Sequence, residues 1–212
     1  MATGLSNGVA TPLREYFDRV AFHWDRELTL VRLECLGNIV RELNIKRGGR
    51  VLDIGCGTGV LLPFLVEAVG YEGEVVALDF SKNMLKQAEA KRLQPVVGFI
   101  QADAVAIPLP DNLADLAICN SAFPHFGDKA AVLEELACVL KAGGRLVICH
   151  TASREAINQL HQSIGGVVAI DLLPEEAQLR AMVRHAGLKL TYFEDSPERY
   201  LVIAEKSVQA AN

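Results

Sequence analysis

Long apolar runs, paired cysteines and basic clusters are all scarce in this chain of 212 residues. The longest apolar runs, such as Val60 to Val66, fall far short of the roughly 20 residues that a membrane-spanning helix needs. No membrane span is therefore expected. The first residues also lack a basic stretch leading into an apolar one, so a secretory signal is not predicted and we expect a cytoplasmic protein.

The five cysteines show no C-x-x-C spacing, and we expect them to be reduced thiols. The formal net charge is −5, and the chain carries no basic run. These two features argue against nucleic acid or an anionic membrane surface as the main partner. The composition instead favours a small-molecule partner, and it leaves a homodimer open.

Strands alternate with helices over most of the chain, which predicts a doubly wound parallel α/β sheet. Half of the residues are hydrophobic, as expected when both faces of such a sheet are covered. The pattern predicts strands at 50–54, 74–79, 96–101, 114–119 and 144–150, and helices at 13–24, 27–43, 81–92, 128–140, 153–163 and 174–185. Residues 1–11 are small and polar, and we expect them to be disordered.

Turn signals at three places refine this prediction. Residues 141–144 suggest a helix stop with glycine at C′, and Pro174 is expected in the first turn of its helix. The last two strands, 188–194 and 199–204, are joined by residues 195–198 alone. So short a connector allows only an antiparallel pair.

The segment from Val51 to Gly59 predicts a buried strand that enters a glycine turn and then a helix. Gly55, Gly57 and Gly59 let the backbone turn sharply and approach a ligand, and the helix offers free N–H groups to it. The dinucleotide spacing G-x-G-x-x-G would require glycine at the position of Val60. The turn therefore indicates a nucleotide cofactor, and its spacing makes a dinucleotide less favoured.

An acid two places before the first glycine, followed by G-x-G-x-G, resembles motif I of the class I S-adenosylmethionine-dependent methyltransferases. Asp79 ends the next strand before Ser81, a predicted N-cap, and can accept both ribose hydroxyls, a geometry that dinucleotide folds share. Residues 101–104 resemble the family segment that brackets the adenine ring. The resemblance implies S-adenosylmethionine as cofactor, bound by Asp53, Gly55, Cys56, Gly57, Gly59, Asp79, Phe80, Asp103, Ala104 and Asn120.

The same resemblance implies a Rossmann-like seven-stranded sheet in the order 3-2-1-4-5-7-6, with the last strand antiparallel and helices on both faces. It further implies a helical lid at residues 1–45 and a cofactor-binding domain at residues 46–212. The motif set looks most like the branch that includes the ubiquinone and menaquinone C-methyltransferases. Tyr16, Phe17, His23 and Trp24 are similar to the lid segment of that branch, although simple helix packing accounts for them equally well.

Ligands of open α/β sheets bind at the carboxyl ends of the strands, so the loops after strands 4 and 5 are expected to face the methyl acceptor. Phe123 and Phe126 can form flat apolar walls there, or can pack under the next helix. Arg154, Asn158 and His161 share a helix face that begins just after strand 5. We therefore expect an acceptor site built from Tyr16, His23, Trp24, Phe123, His125, His150, Arg154, Asn158 and His161.

Within this set, His150 is the candidate general base and Arg154 is a candidate clamp for a carboxylate or phosphate. A metal site made of His125, His150, His161 and Cys149 is conceivable by ligand type, but their spacing matches no compact metal motif, and we predict none. A solvated helix face is the alternative to a polar acceptor site.

The predicted reaction is an in-line transfer of a methyl group from S-adenosylmethionine to an O, N, S or C nucleophile of a small molecule. Two other functions stay open. One is a nicotinamide-dependent oxidoreductase, and the other is a non-catalytic module that binds S-adenosylmethionine.

Overall fold

A computed structural model describes residues 11–208 and contains one mixed sheet of seven strands. The strands are β1 (Arg50–Ile54), β2 (Glu74–Asp79), β3 (Val97–Gln101), β4 (Ala114–Asn120), β5 (Leu140–His150), β6 (Leu188–Asp195) and β7 (Tyr200–Lys206). Their order is β3-β2-β1-β4-β5-β7-β6. Neighbours from β3 to β5 pair in parallel, and β7 is antiparallel to both β5 and β6. The predicted fold class and strand order are confirmed.

Seven α-helices and three short 3₁₀ segments complete the described chain. The helices are α1 (Pro12–Val20), α2 (Leu30–Glu42), α3 (Leu62–Val69), α4 (Lys82–Glu89), α5 (Lys129–Val139), α6 (Arg154–Ile164) and α7 (Glu176–His185). The 3₁₀ segments are Ala21–Glu27, Phe123–His125 and Gly166–Val168. No helix within residues 11–208 combines the length and the apolar character that crossing a membrane requires.

Alternation along the strands builds a core on each face of the sheet. In β1, Val51 packs with residues of α2, α3 and α4, whereas Leu52 and Ile54 pack with residues of α5 and α7. Successive side chains of a strand point to opposite faces, so a nearly continuous apolar run serves both cores. The five cysteines all lie within the described residues and are free.

Several predicted boundaries were wrong for local reasons. Helix α5 ends at Val139. Leu140 is already extended, because it pairs with Ala114 of β4. Gly143 (φ 77°) therefore lies within β5 and is not the C′ residue of the helix. Pro174 precedes the cap Glu175 and lies outside helix α7. The predicted helix at 13–24 ends at Val20 and continues as a 3₁₀ segment. The prediction of disorder at the start of the chain concerns residues almost all outside the described range, since Thr11 already caps α1.

Candidate active site

A cavity of about 780 Å³ opens at the carboxyl ends of β1, β2, β4 and β5 and extends to α1 and α6. This is the edge at which open α/β sheets bind ligands. The predicted site residues that line it are Tyr16, His23, Trp24, Gly55, Cys56, Gly57, Asp79, Phe80, Asp103, Ala104, Asn120, His125, His150 and His161. Phe17 and Phe126 line it as well. Five predicted residues lie outside the lining: Asp53, Gly59, Phe123, Arg154 and Asn158.

The three glycines of the turn after β1 all have positive φ but face different surroundings. A Cβ on Gly55 would lie 2.5 Å from the Cβ of Ala122, and one on Gly59 would lie 2.7 Å from Cδ1 of Leu62. A Cβ on Gly57 (φ 53°) would meet no atom within 4 Å and would project into open space at the cavity wall. Gly55 and Gly59 therefore allow close packing, whereas Gly57 keeps backbone accessible to a ligand.

Asp79 is buried at the end of β2 and its carboxylate accepts hydrogen bonds from two backbone N–H groups. Oδ2 accepts from Gly57 at 2.8 Å, and Oδ1 accepts from Ser81 at 2.8 Å. Burial raises the pKa of Asp79 to about 6, although these N–H groups oppose the shift. Each oxygen retains a second lone pair, so the carboxylate can still accept the ribose hydroxyls of S-adenosylmethionine. Together with the open space at Gly57, this fits the predicted cofactor.

Asp53 lies below the turn, and its Oδ2 atom is buried without a hydrogen-bond partner. Burial, followed by repulsion from Asp79, raises the pKa of Asp53 to about 8. Burial therefore favours the neutral form of this carboxyl. A neutral carboxyl both donates and accepts a hydrogen bond.

The remaining predicted cofactor residues lie along the same wall. The carboxylate of Asp103 accepts a hydrogen bond from the backbone of Val105 at 3.2 Å, and Ala104 is buried beside it. Asn120 ends β4, where its Oδ1 lies 3.8 Å from Sγ of Cys149. Phe80 follows Asp79 and packs on Phe17 of helix α1, with ring centroids 5.8 Å apart.

Phe17 joins the aromatic side chains of the cavity into one cluster. Its ring lies edge-on to Tyr16 at 5.3 Å, to Trp24 at 5.7 Å and to His125 at 4.9 Å between centroids. Edge-to-face packing at such distances is a favourable arrangement for aromatic rings. The N-terminal segment thereby forms an aromatic wall opposite the ends of the strands.

Two aspartates bind this N-terminal segment to the cofactor loops. Oδ1 of Asp18 accepts from Oγ of Ser81 at 2.6 Å and from the backbone N–H of Asn83 at 3.0 Å. Asp25 accepts a hydrogen bond from the hydroxyl of Thr58, the residue after Gly57. The segment therefore touches both the first turn of α4 and the glycine turn itself.

Three histidines face the acceptor end of the cavity in different environments. Nδ1 of His125 lies 2.8 Å from Oδ2 of Asp171, and Nδ1 of His161 contacts the backbone oxygen of Asp171. The ring centroids of His125 and His161 lie 4.8 Å apart. His150 is buried, neither of its ring nitrogens has a hydrogen-bond partner among residues 11–208, and burial lowers its pKa to about 3. His150 is therefore a neutral imidazole at physiological pH.

Helix α6 presents a different face to the cavity from the one expected. Ile157, Leu160, His161 and Ile164 line the cavity, whereas Arg154 and Asn158 do not. The guanidinium of Arg154 lies 3.0 Å from Glu175, and the amide of Asn158 bonds the backbone N–H and carbonyl of Leu173. The helix is anchored through these two side chains, so of the predicted polar face only His161 reaches the cavity.

Phe123 and Asp171 both differ from what the sequence predicts. Phe123 is fully buried in the core, edge-on to Phe126, so only Phe126 forms a wall of the cavity. Asp171 went unpredicted, because nothing in the sequence connects it to a histidine 46 residues earlier. Among residues 11–208, no group of three or more His, Cys, Asp or Glu side chains has a geometry that could hold a metal ion.

Comparison with known proteins agrees with this geometry. Residues 45–187 match the family model described as methyltransferase domain. A demethylmenaquinone methyltransferase from Geobacillus kaustophilus is 36% identical over 143 residues, which cover 64% of this chain and 61% of that protein. The chain thus spans less than two thirds of the length of this relative.

Solved structures share the fold. A SAM dependent methyltransferase from Aquifex aeolicus matches with a TM-score of 0.70 and 24% identity, over 91% of this chain and 98% of that one. The 4+2 cyclase SpnF matches with a TM-score of 0.66 and 21% identity, over 82% and 81% of the two chains. At these identities the likeness concerns the fold alone.

The fold and the cofactor wall define a class I S-adenosylmethionine-dependent methyltransferase, as the sequence motifs predicted. The chain belongs to the methyltransferase domain family. S-adenosylmethionine is accordingly its cofactor.

Proposed function

We propose that this protein transfers a methyl group from S-adenosylmethionine to an uncharged, hydroxylated aromatic molecule of the quinol class. The observation that carries the proposal is the continuous cavity, which joins the wall at Gly57 and Asp79 to an end lined by aromatic rings and histidines. When bound, the cofactor supplies an electrophilic methyl group. The protein's residues have to align the acceptor with that group in a dry site.

The cofactor end is assigned to Gly55, Gly57, Asp79, Asp103 and Asn120. Asp79 accepts the ribose hydroxyls, and the backbone at Gly57 approaches the ligand without a side chain in the way. Neither Asp53 nor Gly59 lines the cavity, so we assign them no direct contact with the cofactor. Asp53 is the buried carboxyl under the turn, and Gly59 permits α3 to pack closely.

The charges of the lining support an uncharged acceptor. Among the described lining residues, fixed charges are carried by Asp79 and Asp103 at the cofactor end and by exposed Arg32. Arg154, the candidate clamp for an anion, is held outside by Glu175. Without a buried cation facing the acceptor, a carboxylate or phosphate would lose more hydration than it regains. An aromatic acceptor instead packs on Phe17 and its neighbours.

The outer end of the cavity suits an apolar substituent. Leu160 and Ile164 line the cavity and are also 47% and 49% exposed. An apolar chain on the acceptor can therefore leave the aromatic cluster along these side chains. The name of the Geobacillus relative, a demethylmenaquinone methyltransferase, supports an acceptor of this kind.

His150, the base expected from the sequence, fits that role less well than its position suggested. A base works best when its pKa lies near the working pH, and the pKa of His150 is lowered to about 3 by burial. We therefore propose His150 as a neutral polar contact for the acceptor.

The test is methyl transfer measured by formation of S-adenosylhomocysteine and by the mass of the product. The acceptor panel contains naphthohydroquinone, its long-chain alkyl derivative, thiophenol and aniline. We expect the two quinols to give products that carry one additional methyl group in place of a hydrogen, with a lower KM for the alkyl derivative. Methylation of thiophenol or aniline alone would contradict the quinol assignment.

The same material separates the two alternative functions. A shift in melting temperature with S-adenosylhomocysteine but no product from any acceptor would identify a non-catalytic binding module. A shift with NAD and none with S-adenosylhomocysteine would favour an oxidoreductase. His185→Gln provides a control, since that side chain is 78% exposed and lies on α7, outside the cavity.

We further propose that residues up to 45 act as a lid over the site, and that residues 46–212 form the cofactor-binding domain. The bonds of Asp18 and Asp25 to the cofactor loops support a lid that responds to the cofactor. A cytoplasmic location and a homodimer stay predictions, which cell fractionation and sedimentation would test.

A further inference from the structure

We propose that His125, held by Asp171, accepts the hydroxyl proton of the methyl acceptor at its Nε2 atom. This inference rests on the proposed function, because it concerns the hydroxylated acceptor named above. His125 closes the 3₁₀ turn that follows β4, and Asp171 lies between the 3₁₀ segment Gly166–Val168 and helix α7.

The hydrogen bond between the two side chains sets the tautomer of the histidine. Nδ1 of His125 lies 2.8 Å from Oδ2 of Asp171, and an ionised carboxylate can only accept. Nδ1 must therefore carry the proton, which leaves the lone pair of Nε2 available. His125 lines the cavity, and no described residue hydrogen-bonds its Nε2.

Packing holds the imidazole in place. The ring of Phe17 meets it edge-on at 4.9 Å, and the ring of His161 lies 4.8 Å away on another side. The backbone of the turn is fixed by Lys129, whose Nζ donates to the carbonyls of Pro124 at 2.8 Å and Phe126 at 3.0 Å. A base held this firmly needs little reorientation when the acceptor binds.

The charged and titratable groups facing His125 come from the loop before α7, from α5 and from α6. Asp171 favours the protonated ring, whereas Lys129 of α5 and His161 of α6 disfavour it. Burial is the largest influence and, together with the positive charge of Lys129, lowers the pKa of His125. The resting imidazole is therefore neutral and ready to accept a proton, and Asp171 stabilises the charge that results.

Neither His150 nor His161 has such a partner. Both nitrogens of His150 are buried without a hydrogen bond from any residue the structure describes, so no carboxylate sets its tautomer or balances a positive charge. His161 contacts the backbone carbonyl of Asp171, a neutral acceptor that stabilises an imidazolium less than a carboxylate does. The carboxylate thus distinguishes His125 from its neighbours.

The proton transfer itself is simple. The O–H bond of the acceptor breaks, its electron pair stays on oxygen, and a new N–H bond forms at Nε2 of His125. The acceptor becomes a phenolate, whose electron density exceeds that of the phenol. No oxidant or metal takes part in the step.

The experiment uses para-nitrophenol as the acceptor analogue, because its phenol and phenolate forms absorb at different wavelengths. The probe is mixed with the full-length protein and S-adenosylhomocysteine, and the absorbance of bound phenolate is followed against pH. The variants are His125→Gln, which removes the base, and Asp171→Asn, which removes the charge but keeps the backbone carbonyl that His161 contacts. Asp111→Asn, at an exposed loop position outside the cavity, is the matched control.

We expect the wild type and Asp111→Asn to bind the probe as phenolate at neutral pH. In both test variants the ratio of bound phenolate to phenol should fall at least tenfold, while affinity for S-adenosylhomocysteine stays within twofold. Absence of bound phenolate in the wild type, or its persistence in both variants, overturns the inference. If His125→Gln fails to fold, Asp171→Asn carries the test.

Turnover of naphthohydroquinone by the same proteins separates this inference from the proposed function. His125→Gln should lower kcat by about 10²- to 10⁴-fold, the usual contribution of a general base. Wild-type turnover in His125→Gln would leave the proposed function standing and refute the base. A wild type that shows the phenolate signal but methylates no quinol would refute the proposed function and leave the proton acceptor standing.

Discussion

The open space at Gly57 leads to a specific expectation for the variant Gly57→Ala. The added Cβ would meet no atom within 4 Å, so the folded protein loses only the cost of an L-residue at φ 53°. That cost is about 1–2 kcal/mol of unfolding free energy. The same methyl group projects into the cavity where the cofactor approaches the backbone. Overfilling a packed contact costs about 1–3 kcal/mol, and we therefore expect S-adenosylhomocysteine to bind roughly 5- to 150-fold more weakly.

Two other glycines provide matched controls. Gly187 (φ 76°) lies between α7 and β6, away from the cavity, and a Cβ there also meets no atom within 4 Å. Gly187→Ala should therefore lose the same stability as Gly57→Ala and bind the ligand normally. Gly59→Ala would place its Cβ 2.7 Å from Leu62 and should lose about 1–3 kcal/mol of further stability through overpacking.

Urea unfolding and isothermal titration calorimetry with S-adenosylhomocysteine measure the two quantities separately. Binding within twofold of the wild type by folded Gly57→Ala would show that the cofactor does not contact the backbone at Gly57. An equal loss of affinity in Gly187→Ala would show that backbone strain alone explains the effect.

Two further predictions concern buried titratable groups. Asp79→Asn should weaken binding of S-adenosylhomocysteine by about 1–3 kcal/mol, the scale of a hydrogen bond to a charged group; unchanged affinity in calorimetry would remove Asp79 as the ribose acceptor. The pKa of His150 is lowered from 6.5 to about 3, so the unfolded chain binds its proton first as the pH falls. The stability that neutral His150 contributes is thus complete above pH 6.5 and is lost on acidification towards pH 3. Between pH 7 and 5 the wild type should lose about 2 kcal/mol more unfolding free energy than His150→Gln. An equal loss in the two proteins, measured by urea unfolding at both pH values, would contradict this.

The strands of the sheet could be predicted from the sequence because the signals that mark them are local. Residues 50–54 and 74–79 were predicted with the bounds that the structure has, since each strand is an apolar run bounded by turn residues. Helix α5 ended earlier than expected because pairing of Leu140 with Ala114, a tertiary contact, extends β5 towards the helix. Propensity and turn chemistry cannot supply that information.

The sequence could also predict which glycines and acids lie at the ends of the strands beside the cavity, because they follow the strands directly. It could not predict which residues of α6 face the cavity, because that depends on how helices dock. Arg154, Asn158 and His161 do lie on one side of α6, but the anchoring of Asn158 at Leu173 turns the face of Ile157 towards the cavity. His150 was favoured for its place at the end of a strand, and its complete burial could not be deduced from sequence.

The bonds of Asp18 to Ser81 and of Asp25 to Thr58 tie the N-terminal segment to the turns that face the cofactor. Segment docking and cofactor binding are consequently linked equilibria, and linkage is reciprocal. If docking of the segment strengthens cofactor binding by a given free energy, the bound cofactor strengthens docking of the segment by the same free energy. Because Phe17 on this segment also packs on His125, the same coupling extends to the acceptor end. The two substrates of the reaction can therefore communicate through α1 without touching each other.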